Sequence, residues 1–184
     1  MRTALVLIDI QNDYFPGGRM ELVGSEAAAC SAANLLRVFR QAEWPVFHVK
    51  HVSNRNGATF FLPDTPGVEI HHSVAPFPGE AVVIKNYPNS FRETLLQEQL
   101  KAAGIGSVLI CGMMTSMCVD ATVRAAFDLG YDCTVAHDAC ATRDLVFNGV
   151  AIPAAQVHGS FLAALGAVYA QIRPTDDILT AILG

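Results

Sequence analysis

The chain has 184 residues, of which 52% are hydrophobic and 16% are charged, and its formal net charge at pH 7 is −5. This length predicts a single domain over residues 1–184, and the high apolar content excludes an intrinsically disordered chain. The slightly acidic balance offers no basic surface for nucleic acid, and no apolar run is long enough to span a membrane. We therefore expect a globular protein that binds neither nucleic acid nor membrane.

Apolar runs alternate with helical patterns along the chain. In chain order they predict a strand at 3–10, a helix at 25–43 with Ser25 as its N-cap, a strand at 45–52, a long loop at 53–78, a strand at 81–84, a helix at 91–103, a strand at 107–111, a helix at 116–129, a strand at 131–137, one long helix or two at 145–170, a strand at 171–173 and a helix at 175–183. The strands lack polar alternation, which is typical of strands covered on both faces. We predict a three-layer α/β/α sandwich with a mostly parallel sheet of about six strands.

The cysteines indicate the compartment. There are five of them, with no C-x-x-C pair: Cys30, Cys111, Cys118, Cys133 and Cys140. An odd number of thiols without metal-ligand or redox-motif spacing is typical of a reducing environment. The N-terminal apolar run stops at Asp9, and no signal cleavage site follows it. These observations predict a cytoplasmic protein.

Chemically active side chains follow three of the predicted strands. Asp9 ends the first, Lys85 follows the third, and Cys118 follows the fourth near the predicted start of a helix. The carboxyl ends of parallel strands meet at one edge of a sheet, and a helix N-terminus favours a thiolate. We therefore expect these residues to form a cluster in which Lys85 lowers the pKa of the thiol and Asp9 accepts its proton. The alternative is that Asp9 and Lys85 are solvated strand ends and that Cys118 is a buried core cysteine.

Segments of the chain match the motifs of a known family in order and in spacing. They are residues 4–13 (ALVLIDIQND), 85–91 (KNYPNSF), 112–119 (GMMTSMCV) continued by 122–126 (TVRAA), and Asp138 with Ala139. On these residues the chain resembles the isochorismatase-like cysteine hydrolases, which include nicotinamidases, N-carbamoylsarcosine amidases and ureido- and biuret-type amidohydrolases. The resemblance extends from about residue 3 to residue 170, which is nearly the whole chain.

The resemblance implies a catalytic triad of Asp9, Lys85 and Cys118. It also implies a cis peptide between Met113 and Met114, with the backbone N–H groups of Met114 and Cys118 forming an oxyanion hole. Cys118 would attack a carbonyl carbon, an amine or ammonia would leave, and water activated by Asp9 would hydrolyse the thioester. We therefore expect a hydrolase of small amide-, ureido- or imide-type C–N bonds that needs no cofactor. Members of the family commonly assemble, which implies a homodimer or homotetramer.

The residues after the second strand indicate whether the chain binds a metal. Nicotinamidases bind a divalent metal through an Asp-x-His after the second strand, whereas this chain has His48 and His51 there and no Asp-x-His. We therefore predict no metal site. Pocket walls are expected from the loop around 54–61, and the candidate substrate-binding residues are Phe15, His51, Tyr87, Phe91 and Thr115.

Two other functions stay open at this point. A thiol of lowered pKa at a helix start equally suits a non-hydrolytic redox sensor. A vinyl-ether hydrolase of the isochorismatase type would use Asp9 and Lys85 without a nucleophilic cysteine. Cys118 and the complete triad favour the amide-type hydrolase over both.

Overall fold

The computed structural model describes residues 2–183, and within them strands and helices alternate. The strands, in chain order, are β1 (Arg2–Ile8), β2 (Val46–His51), β3 (Ala81–Lys85), β4 (Ile105–Met113), β5 (Asp132–Ala141), β6 (Leu145–Phe147), β7 (Val150–Ile152) and β8 (Gln171–Arg173). The α-helices are α1 (Ser25–Gln41), α2 (Leu96–Ala102), α3 (Asp120–Asp128), α4 (Ala154–Val168) and α5 (Thr175–Leu183). Six strands form one parallel sheet in the order β3-β2-β1-β4-β5-β8.

Helices cover both faces of this sheet. Along β1, Leu5 and Leu7 pack with residues of α1 and α5, whereas Ala4, Val6 and Ile8 pack with residues of α2, α3 and α4. Burying each large aliphatic side chain contributes about 1.5–3 kcal/mol to folding. Both faces of β1 are buried from Ala4 to Ile8, and over these residues its sequence is continuously apolar. The predicted three-layer α/β/α sandwich with a six-stranded parallel sheet is confirmed.

The prediction of one or two helices over residues 145–170 is wrong in its first part. Strands β6 and β7 pair as an antiparallel hairpin, and α4 begins only after Pro153. Asn148 and Gly149 form the turn, with φ of 49° and 78°. An Asn-Gly pair between apolar residues is a strong hairpin signal, because both residues tolerate positive φ.

Several element boundaries also differ from the prediction, and the differences at α2, α1 and β5 have a clear structural reason. The helix expected at 91–103 starts at Leu96, because Glu93 adopts a φ of 56° that an α-helix does not allow. Gly24, with a φ of 76°, occupies the N-cap position of α1 in place of Ser25. Strand β5 continues past its expected end to Ala141 through an irregular register, so that Asp138 lies inside the strand.

The sheet changes its winding direction beside β1. The chain runs from β1 outward to β2 and β3 and then returns to β4 on the other side of β1. At the carboxyl end of β4, Gly112 has a φ of 130°, and a Cβ there would collide with the backbone of Ile8. This close approach brings together the segments that follow β1 and β4, where ligands of open α/β sheets bind.

None of the helices within residues 2–183 has both the length and the apolar character needed to cross a membrane.

Candidate active site

A buried ion pair lies at the carboxyl end of the sheet. Asp9 follows β1, Lys85 ends β3, and the Lys85 Nζ is 2.7 Å from the Asp9 Oδ2, with both side chains fully buried. Asp9 has a φ of 51°, a conformation that non-glycine residues adopt rarely and at a cost of about 1–3 kcal/mol. Because β2 lies between β1 and β3, the Lys85 side chain passes the end of β2 to reach the carboxylate.

All three N–H groups of the Lys85 ammonium have an acceptor. The first donates to the Asp9 Oδ2 at 2.7 Å, the second to the His51 Nδ1 at 3.0 Å and the third to the carbonyl oxygen of Tyr87 at 3.1 Å. Burial disfavours the charged lysine, but the neighbouring Asp9 carboxylate outweighs this effect, and the pKa of Lys85 is raised. Lys85 therefore stays charged and neutralises Asp9.

The same contact determines the tautomer of His51. An ammonium can only donate, so the His51 Nδ1 accepts the hydrogen bond and the proton of the neutral ring resides on Nε2. Burial lowers the pKa of His51 to about 4, and the positive charges of Lys85 and Arg55 contribute to this depression against the opposing effect of Asp9. At neutral pH His51 is therefore uncharged, and Nε2–H is the donor it can offer to a ligand.

Cys118 completes the cluster. Its Sγ, a carboxylate oxygen of Asp9 and a ring nitrogen of His51 lie within 4.8 Å of one another. The Asp9 Oδ1 is buried and makes no hydrogen bond with any residue between 2 and 183, whereas the Oδ2 is occupied by Lys85. The structure thus leaves one carboxylate oxygen available as a proton acceptor beside the thiol.

The expected lowering of the Cys118 pKa is wrong. Burial raises the pKa of this thiol, the Asp9 carboxylate raises it further, and Lys85 offsets only part of the effect. Cys118 lies in a π-helical turn, Thr115–Val119, in which the Val119 N–H donates to the Met114 carbonyl oxygen at 3.2 Å. Helix α3 starts only at Asp120, so Cys118 does not occupy the first turn of an α-helix. The raised pKa favours the protonated thiol at neutral pH.

The backbone beside Cys118 has the feature that the family resemblance implied. The peptide bond between Met113 and Met114 is cis. The N–H of Met114 makes no hydrogen bond within the described part of the chain. Both Met114 and Cys118 border the cavity described next.

A cavity of about 260 Å³ opens over Cys118. The long loop after β2 contributes Asn54, Arg55, Phe60 and Phe61, as the sequence predicted for residues 54–61. The volume lies below the roughly 300–1,000 Å³ of sites for drug-sized ligands. It therefore suits a small molecule.

A larger groove of about 630 Å³ lies at the opposite, amino end of the strands, where Thr3, Ser107 and Gln171 line it. It contains one thiol, Cys133, whose pKa burial raises to about 11. None of the described residues that line this groove forms a carboxylate–lysine pair like that beside Cys118, so the smaller cavity is the candidate active site.

Two of the five candidate substrate-binding residues, His51 and Tyr87, line the cavity. The other three lie elsewhere: Phe15, Phe91 and Thr115. Phe15 stacks on His71 with ring centroids 3.6 Å apart, and Phe91 stacks on Tyr131 at 6.1 Å. Thr115 is fully buried, with its Oγ1 2.9 Å from the His158 Nδ1. The short helix Asn12–Tyr14 places Tyr14, instead of Phe15, at the cavity wall.

Two further polar residues, Gln11 and Asp13, form hydrogen bonds to the backbone of the segments that line the cavity. The buried Gln11 side chain donates to the carbonyl oxygens of His51 and Val68 at 2.8 and 2.7 Å and accepts from the His51 N–H at 2.8 Å. The Asp13 carboxylate accepts from the N–H of Phe61 at 2.6 Å. The sequence contained a clue to both, because they lie shortly after the first strand, where functional groups are expected, and buried polar groups require partners.

One group of three potential metal ligands occurs within residues 2–183, and it consists of Asp9, His51 and Cys118. The Lys85 ammonium already bonds both Asp9 and His51, so that a metal ion would have to displace a buried positive charge. These donors do not fit a resident metal, and the expected absence of a metal stays a prediction.

The depressed pKa of His51 predicts an acid-sensitive fold. Between the ordinary histidine pKa of about 6.5 and about 4, the unfolded chain binds a proton at His51 that the folded chain excludes, so stability is expected to fall as pH falls through this range. His51→Gln keeps an acceptor for Lys85 but does not titrate. Urea unfolding at several pH values should show a smaller loss for this variant than for the wild type. Superimposable pH profiles of the two proteins would exclude His51 as a source of the effect.

The comparisons with known proteins agree with this fold. The family model described as "Isochorismatase domain" matches residues 3–161. The chain is 51% identical over 179 residues to the uncharacterized isochorismatase family protein YddQ of Bacillus subtilis (strain 168), which covers 97% of this chain and 99% of that protein. The chain therefore belongs to the isochorismatase family of hydrolases, and the resemblance stated from its motifs is confirmed.

A solved structure and a relative with a named activity extend this comparison. The crystal structure of a protein from Oleispira antarctica, described as a "putative isochorismatase hydrolase", matches this chain with 53% sequence identity and a TM-score of 0.94. The match covers 97% of this chain and 96% of that one. The ureidoacrylate amidohydrolase RutB of Variovorax paradoxus (strain S110) is 29% identical over 189 residues, covering 85% of this chain and 73% of that protein.

Proposed function

We propose that this chain is a cysteine hydrolase that cleaves a small amide-, ureido- or imide-type C–N bond through a thioester on Cys118. The observation that carries the proposal is the asymmetry of the Asp9 carboxylate. Its Oδ2 is neutralised by Lys85 at 2.7 Å, while its buried Oδ1 has no partner among the described residues and adjoins the thiol. A carboxylate held in this way acts as a general base toward one neighbour.

In the proposed first half-reaction, the Cys118 thiol passes its proton to the Asp9 Oδ1 as the sulfur attacks the carbonyl carbon. The raised pKa of the thiol supports proton transfer during attack over a stable resting thiolate. The protonated Asp9 then gives this proton to the departing nitrogen. Ammonia or an amine leaves, and the acyl group remains on Cys118 as a thioester.

In the second half-reaction, Asp9 accepts a proton from a water molecule, which attacks the thioester carbon. The acyl group leaves as a carboxylic acid, or as a carbamic acid when the substrate is a ureido compound, and the proton returns to the Cys118 sulfur. In both halves the negative oxygen would be bound by the backbone N–H groups of Met114 and Cys118, since donors aimed at this charge are a large part of acyl-transfer catalysis. The lack of a protein acceptor for the Met114 N–H within residues 2–183 supports this role.

The site disfavours the two other functions. Redox-sensing thiols are typically accessible and of low pKa, whereas Cys118 is 5% exposed and its pKa is raised by burial. A vinyl-ether hydrolase would leave Cys118 without a role. The amidohydrolase name of RutB supports C–N cleavage here.

A hydrolysis screen tests this proposal. Small amides, ureido compounds and imides are incubated with the protein, and released ammonia or amine is measured. We expect turnover of at least one compound class and none of nicotinamide, because the site lacks the Asp-x-His of nicotinamidases. Absence of turnover across all three classes, or preferred turnover of nicotinamide, would contradict the proposal.

A further inference from the structure

A cationic side chain faces the cavity without a protein partner. Arg55 lines the cavity four residues after the end of β2. Within residues 2–183, no carboxylate lies within 4.0 Å of its guanidinium. By contrast, the Arg40 Nε is 2.7 Å from the Glu80 carboxylate, and the Arg124 Nε is 3.0 Å from that of Asp120. The Arg55 guanidinium is therefore available to a ligand.

Arg55 is the one arginine, lysine, aspartate or glutamate among the described residues that line the cavity. Lys85 and Asp9 form a neutral pair, and all three N–H groups of Lys85 are occupied within the protein. No aspartate or glutamate is among the residues that line the cavity. With Cys118 protonated and His51 uncharged, the cavity carries one net positive charge, that of Arg55. A site with this balance is complementary to an anionic ligand.

The hydrogen-bond donors available at the cavity limit which anion fits. A guanidinium presents a planar pair of N–H donors that matches a carboxylate. A phosphate dianion is best bound by several cations or free N–H groups, and Lys85 has none left to offer. Phe60, Phe61 and Met117 supply apolar parts of the cavity wall.

We infer that the substrate is a small amide or ureide with a carboxylate at the end remote from the scissile C–N bond, and that Arg55 binds this carboxylate. This inference rests on the proposed hydrolase function for the scissile end. Arg55 acts on binding and takes no part in bond cleavage.

Binding is measured first, without turnover. Succinamic, glutaramic and adipamic acids and their uncharged diamides are titrated by calorimetry into Cys118→Ala and into Cys118→Ala/Arg55→Gln. For the best spacer length, we expect the acid to bind about tenfold more tightly than its diamide, because the acid gains one charge-assisted contact with Arg55. Arg55→Gln should remove this preference and leave the diamide unchanged. Cys118→Ala/Arg37→Gln is the matched control, because Arg37 lies exposed on α1, bonded to Gln41, and carries the same charge.

The outcomes separate this inference from the proposed function. Equal binding of acids and diamides, no binding of any acid, or an acid affinity that Arg37→Gln lowers as much as Arg55→Gln, would overturn the role of Arg55. Ammonia release by the protein with Cys118 intact is then measured on the same compounds. Turnover in which Arg55→Gln raises KM for the acid about tenfold with little change in kcat supports both proposals. Arg55-dependent binding without any hydrolysis would support the carboxylate site and contradict the hydrolase.

Discussion

Cys118→Ala is expected to lower kcat/KM for the best substrate of the screen by at least about a thousandfold, because no other group can form the thioester. The fold should be retained, since the change removes one sulfur that faces a cavity. Steady-state ammonia release measures the loss. Cys133→Ala is the matched control, because Cys133 is also a buried thiol, in β5, but lies outside the cavity over Cys118. A Cys118→Ala protein with a rate comparable to the wild type would assign the chemistry to Asp9 and Lys85 acting without a covalent intermediate.

Lys85→Met is expected to lower the free energy of unfolding by about 3–5 kcal/mol at neutral pH, because removing one partner of a buried ion pair leaves the other charge buried without compensation. The variant keeps the apolar length of the side chain and leaves the fully buried Asp9 carboxylate without its cation. It also removes the hydrogen bonds to His51 and to the Tyr87 carbonyl oxygen. Urea unfolding measures the change.

A second variant separates the charge effect from loss of packing. Asp9→Asn/Lys85→Met removes both charges, so it should be more stable than Lys85→Met alone. If Lys85→Met costs only the roughly 0–1 kcal/mol typical of exposed salt bridges, the pair is not buried in solution and the proposed neutralisation of Asp9 is wrong.

The fold could be predicted from the sequence because the strongest signal, continuous apolar runs alternating with helical patterns, depends on local sequence alone. The positions of Asp9, Lys85 and Cys118 were predictable for a related reason. Each follows or ends a strand, and parallel strands that share a sheet bring their carboxyl ends together. The structure adds that Lys85 must reach past β2 to meet Asp9, which the sequence alone did not indicate.

The incorrect predictions concern properties that depend on burial and packing in the folded protein. The pKa of Cys118 was expected to fall, because its nearness to Lys85 was predictable while its desolvation was not. Phe15 and Tyr14 are adjacent aromatic residues, and only the short helix at Asn12–Tyr14 determines which of them borders the cavity. The β6–β7 hairpin was missed because its Asn-Gly turn interrupts an apolar stretch that also suits a helix.

The proposed mechanism requires a covalent bond to Cys118, and mass spectrometry of the protein during turnover tests this bond directly. The reaction of the best substrate is quenched with acid on the millisecond scale, and the protein is digested. We predict that the peptide containing Cys118 gains the mass of the acyl group while the peptides of the other four cysteines stay unmodified. The adduct should disappear when the substrate is exhausted. Product formation through many turnovers with the Cys118 peptide always at its unmodified mass would contradict the thioester mechanism.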